Sequence, residues 1–259
     1  MLEISDLHVA RGRSDVLQGL SLTAQPGAVT VILGPNGSGK STLVQAASGA
    51  LPYRGRIILQ GHEIAKTPAW RLAALRAVLE QSNSVAFPFT VAEVVGMGLH
   101  AGIEADHPEI VSAALAEVGL SDLAHRPIQS LSGGQQARAH LARVRAQVWQ
   151  PLSHAGPRWL LVDEPVASLD IAHQLEVMAI LRRFADAGGG VVAVMHDLNL
   201  SAQLADEMVL MREGRIEAHG PPETVMRGPI LSRTYGCELQ VGAAASDGLW
   251  VLPQFARPA

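Results

Sequence analysis

The run Gly34-Pro35-Asn36-Gly37-Ser38-Gly39-Lys40-Ser41-Thr42 has the spacing G-x-x-x-x-G-K-[ST]. These residue types can hold a phosphate chain. The glycines leave backbone N–H groups bare, so that they can curl around a β-phosphate. Lys40 adds a positive charge on the β- and γ-phosphates, and Ser41 offers a hydroxyl to Mg²⁺. The apolar run Val29 to Leu33 precedes the loop, and the helix-compatible stretch Ser41 to Ala47 follows it. That strand–loop–helix context is the one the motif needs, and it implies binding of a nucleoside triphosphate.

Further chemistry lies downstream. Trp159-Leu160-Leu161-Val162 is followed by Asp163-Glu164, two carboxylates just past an apolar strand. In an open parallel sheet, ligands sit at that end. Asp163 is placed to hold the Mg²⁺ shell, and Glu164 to polarise a water that attacks the γ-phosphate. His196 ends the next apolar run, Val191 to Met195, at the same edge. It can hydrogen-bond the γ-phosphate and hold the water and Glu164 in place. Gln81 follows Val78-Leu79-Glu80, where an amide can touch Mg²⁺ or water. In Leu131-Ser132-Gly133-Gly134-Gln135-Gln136, Ser132 and Gln135 have capping-box spacing. The two glycines bare the N–H groups of that helix start, which attracts phosphate.

These residues need elements to carry them. Leu2, Ile4, Leu7 and Val9 roughly alternate with polar residues, as in a half-buried strand. A second strand is expected over Val16 to Leu22, and a short hairpin around Arg56 to Leu59. From about Ser82 to Ala155 the pattern is helical. Asp106 is placed to cap one helix, with Val111, Ala114, Leu115 and Val118 on its apolar face and Gly119 ending it. A second helix starts at Ser132 and runs past Arg145. After Pro157 strands return, and the unbroken apolar runs 159–162 and 191–195 suit central parallel strands. A helix from Ile171 to Ala187 joins them, and a hairpin turns at Glu213-Gly214. The outcome is an α/β core with a mainly parallel sheet, interrupted by an all-helical insertion.

Composition bounds the rest. A chain of 259 residues can bury a sizeable core. A net charge of −4 gives no basic field for nucleic acid. Hydrophobic residues make up 48%, yet no run approaches the length that spans a bilayer. Cys237 is the one cysteine, so no intrachain disulfide forms. Met1 to Asp6 lacks a basic and apolar leader, and the chain is expected to stay in the cytoplasm.

Taken in order, these motifs resemble the ATP-binding cassette (ABC) ATPases, from Leu2 to about Val241. The resemblance implies a P-loop NTPase (RecA-like) core, an antiparallel β subdomain and an inserted α-helical subdomain. The core would span 1–81 and 156–241, the helical subdomain 82–155, and a C-terminal tail 242–259. The resemblance also makes Gly34 to Thr42 the ATP-binding loop and Gln81 the glutamine loop, with Ser41, Gln81 and Asp163 around Mg²⁺. Glu164 and His196 become the catalytic pair. Arg11 falls where the family often stacks an aromatic side chain on adenine, and a guanidinium can stack there as well. The family implies a head-to-tail homodimer with two composite sites. In it, Ser132, Gly133, Gly134, Gln135 and the D-loop residue Asp170 of one copy reach the ATP held by the other.

One cassette without a membrane span resembles a separate transporter subunit. Ala86-Phe87-Pro88-Phe89-Thr90-Val91 and Met195-His196-Asp197-Leu198-Asn199-Leu200 resemble importers of cobalamin, ferric siderophores and haem. The Trp-containing stretch Val148 to Arg158 resembles the haemin importers in particular. Haem import on the cytoplasmic face of a bacterial inner membrane is the implied function, with a cobalamin or siderophore importer as the alternative. A soluble ABC ATPase acting on ribosomes or DNA is a further one, although the chain shows no second cassette or basic patch. The implied partners are a polytopic permease dimer and, indirectly, a periplasmic binding protein. No nucleic acid is expected, and no direct haem binding, because such an ATPase drives the cycle without touching cargo. Phe87-Pro88-Phe89 is a candidate permease contact.

Overall fold

The computed structural model describes residues 1–12, 14–81 and 87–242. Ala86 and the tail from residue 243 therefore lie outside the described residues. The chain opens with strands β1 (Leu2–Arg11), β2 (Ser14–Ala24) and β3 (Val29–Leu33), then helix α1 (Lys40–Ser48). Next come β4 (Arg54–Leu59), β5 (His62–Glu63), α2 (Ala69–Leu75) and β6 (Arg76–Leu79). Helices α3 (Val91–Ala101), α4 (Glu109–Glu117) and α5 (Gly133–Gln147) follow, then the short strands β7 (Leu152–Ser153) and β8 (Gly156–Pro157). The remainder alternates β9 (Trp159–Asp163), α6 (Ile171–Asp186), β10 (Gly190–Val194), α7 (Leu198–Leu204) and β11 (Glu207–Arg212). It closes with β12 (Arg215–Gly220), α8 (Pro222–Val225) and α9 (Gly228–Tyr235).

Two sheets carry the fold. The larger has the order β12-β11-β3-β10-β9-β6, parallel except for β12. The smaller, β2-β1-β4-β5, is antiparallel. The unbroken apolar runs of the large sheet follow from burial on both faces. Val29, Val31 and Leu33 face the helical layer, whereas Ile32 faces the antiparallel sheet. Leu160 and Val162 face the first layer, and Trp159 and Leu161 the second. In β1, Leu2, Ile4, Leu7 and Val9 are all buried, so its other face is free to be polar. An α/β core with a parallel sheet and an antiparallel companion is thus borne out.

Between β6 and β9 the chain is helical. Thr90 caps α3 with a complete capping box, receiving the Glu93 N–H at 3.2 Å while its own N–H reaches Glu93 Oε2 at 2.7 Å. Helices α3 and α5 touch backbone to backbone at Gly98. A Cβ there would lie 1.9 Å from Arg143 O. That packing outweighs the roughly 1 kcal/mol by which glycine weakens a helix interior.

Three local readings change. Helix α4 begins at Glu109, and Asp106 does not cap it. Pro108 already has helical φ (−62°), and the Ile110 N–H bonds to His107 O, so the first turn forms around the proline. Ile110, rather than Val111, takes the buried position on that helix. Residues 152–157 fold into the β7–β8 hairpin, which overlaps the end of the stretch expected to be helical. Helix α2 and edge strand β6, whose short sequences carry little periodicity, precede Gln81.

The insertion is tied to the core by buried charge. Arg158, just before β9, is 2% exposed, and its Nη1 lies 2.6 and 2.7 Å from the two oxygens of Glu104. Arg145 of α5 bonds Glu117 of α4 at 2.9 Å and lies over the rings of Trp149 and Phe184 at 5.0 and 5.1 Å.

Candidate active site

The carboxyl ends of β3, β9 and β10 converge on one edge. Strand β3 delivers the loop 34–39, and Lys40 opens α1. Gly34 is required by close approach: its φ is +148°, and a Cβ would sit 2.2 Å from Met211 O of β11. Gly39 is the N-cap of α1 in a left-handed conformation, with no side-chain cap, so the first amides are left for a ligand. Lys40 is 6% exposed, and its Nζ donates to Gly34 O at 2.8 Å and Pro35 O at 3.0 Å. Burial pushes its pKa down, opposed by the nearby carboxylates of Glu164 and Asp163. Ser38 and Thr42 are buried beneath the loop, while Asn36 and Gly37 form its exposed tip.

Asp163, the last residue of β9, is 4% exposed. Burial raises its pKa, and a hydrogen bond with Ser41 is the main counter-effect. Its Oδ1 has no hydrogen-bond partner. A buried, unfilled carboxylate oxygen beside a hydroxyl fits a hard divalent cation. Among the described residues, no cluster of three His, Cys, Asp or Glu side chains could hold a metal. This donor set suits Mg²⁺, which takes one or two protein oxygens and completes its shell with phosphate and water.

Glu164 has φ +53°, a region that residues other than glycine rarely enter. Its N–H bonds to Val194 O at 3.0 Å, and its carbonyl accepts the Ala167 N–H at 3.1 Å, which fixes the turn. The side chain thereby meets His196, with Nε2 2.5 Å from Oε1. An ionised carboxylate only accepts, so the tautomer that suits this contact has Nε2 as the donor. A cavity of about 700 Å³ is lined by Lys40, Ser41, Thr42, Gln81, Glu164, His196 and, at its rim, Arg11. Arg11 is steered by Gln45 of α1, whose Oε1 accepts its Nη2 at 2.5 Å.

Ser132 and Asp170 belong elsewhere in the same chain. Ser132 caps α5 as its spacing predicts: Oγ accepts the Gln135 N–H at 3.3 Å, and Gln135 Oε1 accepts the Ser132 N–H at 3.0 Å. Asp170 caps α6, with Oδ1 accepting the His173 N–H at 3.0 Å and lying 2.8 Å from His173 Nδ1. The bond from the His173 amide, helped by its imidazole, holds the Asp170 carboxyl below the usual range. Ser132, Gly133, Gly134, Gln135 and Asp170 line a cavity of about 370 Å³ that Lys40 does not reach. Of these five, Gly133 also lines a narrow space of about 190 Å³ with Gln81, His140, Asp163 and Glu164. The sequence reading does not anticipate Gln45, or the contact of His173 with Asp170. His173 was legible as the N3 residue after a capping aspartate, but Gln45 carried no signal.

The family model described as "ABC transporter" matches residues 17–167, more than half of the chain. The chain belongs to that family. This cassette is 52% identical over 257 residues to the Hemin import ATP-binding protein HmuV of Roseobacter denitrificans, covering 99% of the chain and 98% of that relative. It is 51% identical to the protein of the same name from Jannaschia sp., covering 99% and 96%. Among solved structures, it resembles "cbiO1 from clostridium perfringens", described as part of the ABC transporter complex cbiONQ. That likeness has a TM-score of 0.73 at 28% identity, covering 90% of this cassette and 92% of that one.

Proposed function

We propose that this cassette is the ATP-hydrolysing subunit that powers import of haem through a membrane permease, acting as a homodimer with two composite sites. The Glu164–His196 pair beside the Lys40 loop carries the hydrolytic part of this reading. The haem part rests on full-length similarity to the hemin-import relatives. Residues 1–81 and 156–241 form the nucleotide-binding core in this reading, and 82–155 the moving helical part.

Residues of one chain divide the work. The loop amides and Lys40 hold the phosphates, and Arg11 stacks on adenine at the rim. Ser41, Asp163 and Gln81 would hold Mg²⁺, which would supply charge neutralisation on the phosphates. Glu164 accepts the proton of the attacking water, and His196 keeps that carboxylate aimed. The second copy supplies Ser132 to Gln135 and Asp170. The separation of their cavity from Lys40 supports this, because one chain leaves the γ-phosphate open on that side.

No helix among the described residues is long and apolar enough to cross a membrane. In this reading the cassette engages its permease at the cytoplasmic face of the inner membrane. Phe87 is 67% exposed, and its segment is tied to the turn that leads to Ser132 and α5. Ile128 N–H bonds Phe89 O at 2.9 Å, and Gln129 Nε2 bonds Phe87 O at 2.7 Å. A helix of the permease pressing there would move Ser132. Reconstitution with the permease tests the reading. Haem-loaded binding protein should stimulate ATP hydrolysis, and Glu164→Gln should bind ATP while nearly abolishing it. Equal stimulation by cobalamin-loaded binding protein would remove haem as the cargo, and fast turnover by Glu164→Gln would remove its role.

A further inference from the structure

Beside the phosphate loop lies a cavity of about 320 Å³ between Pro35 to Ser38 and the end of α9, and Glu164 is not part of its lining. Tyr235 closes α9 and faces this cavity. Its position is fixed from several directions. Arg212 Nη1 donates to Arg233 O at 2.5 Å, and Arg233 Nε lies 3.0 Å from Glu217 Oε1 of β12. Gly236, in a left-handed conformation, stops the helix immediately after Tyr235. The loop is held from the same side. Gly214 N–H, in the β11–β12 turn, donates to Ser38 O at 3.1 Å, and Met211 O lies against Gly34.

Two hydroxyls are buried in this region without a hydrogen-bond partner, Tyr235 OH and Ser38 Oγ. Burial pushes the Tyr235 pKa up, and a weak interaction of its oxygen with the Gly34 N–H, outside ordinary hydrogen-bond geometry, draws it partly back, which leaves the hydroxyl proton without an acceptor. A buried donor without an acceptor is costly, and it gains from any acceptor that comes within reach. The loop has such acceptors. Gly34 O and Pro35 O both receive Lys40 Nζ, the same ammonium that β- and γ-phosphates draw upon. When Lys40 turns to phosphate, these two buried or half-buried carbonyls lose their donor.

We propose that Tyr235 is a positioning residue for nucleotide binding: its hydroxyl donates to the back of the phosphate loop when Lys40 engages the phosphates, so that α9 secures the loop in its binding form. This rests on the reading of residues 34–42 as the ATP loop. The test is Tyr235→Phe, which keeps the ring and removes only the hydroxyl. Affinity for a fluorescent ATP analogue is measured with Mg²⁺ on the full chain, for wild type, Tyr235→Phe and Lys40→Ala. Tyr235→Phe should bind about three- to ten-fold more weakly, the value of one hydrogen bond. Its KM for ATP should rise in parallel with kcat kept, and its melting temperature without nucleotide should be unchanged or higher. A Tyr235→Phe affinity equal to wild type would overturn the proposal, whatever happens to its melting temperature. Wild type that fails to bind the analogue would overturn the ATP reading of the loop itself.

Discussion

Glu164 and His196 show how much a single contact can carry. A strained backbone at Glu164, worth roughly 1–3 kcal/mol, is held by two backbone hydrogen bonds so that the carboxylate meets the imidazole. Strain of that kind is useful where a base must be aimed before its substrate arrives. His196→Ala removes the partner of Glu164 and leaves the Lys40 loop untouched. Phosphate release should fall by about 10²-fold or more, the range of one acid–base partner. Binding of ATP, measured by fluorescence with an ATP analogue, should stay within a few-fold of wild type. A loss of binding equal to the loss of rate would show that His196 serves affinity rather than aim.

The elements hold these residues through close approach and buried charge. Gly34 lies where β11 passes behind the loop, with no room for a methyl group. Gly34→Ala should lose about 2 kcal/mol or more from the strained φ and the contact with Met211 O. Urea unfolding checks this, and ATP binding should fail alongside. The Arg158–Glu104 pair links the residue before β9 to the chain after α3. Glu104→Ala leaves the guanidinium of Arg158 buried and unpaired, which should cost about 3–5 kcal/mol. The double variant Glu104→Leu/Arg158→Met should recover most of that loss. If the single variant melts like wild type, the link does not hold the insertion to the core.

At the scale of the whole molecule, the two halves of the site face different cavities of one chain. In the proposed homodimer a second copy would bring them together, since each chain carries both halves. Lys40→Ala and Ser132→Arg should each be inactive alone. Mixed in equal amounts, they should regain hydrolysis, since one site of each mixed dimer takes Lys40 from one copy and Ser132 from the other. About a quarter of all sites are then complete, half of the dimers being mixed. Phosphate release after mixing measures this, and no recovery would argue against sites shared between copies.

Some of this was legible in the chain from the outset. The phosphate loop, the Ser132 capping box, the paired carboxylates and the unbroken apolar strands depend on neighbours within a few residues. Backbone preference and periodicity act at that range, so sequence alone determined them, together with the α/β class. Other features depend on which strand lies beside which. Tertiary structure placed β10 next to β9, and so brought His196 to Glu164 across 32 residues of sequence. It set Gln45 against Arg11, Glu104 against Arg158, and Tyr235 behind Gly34. It also began α4 just after Pro108 and folded 152–157 into a hairpin. These contacts join segments with no shared pattern, and only packing of the sheets and helices around common cores selects them.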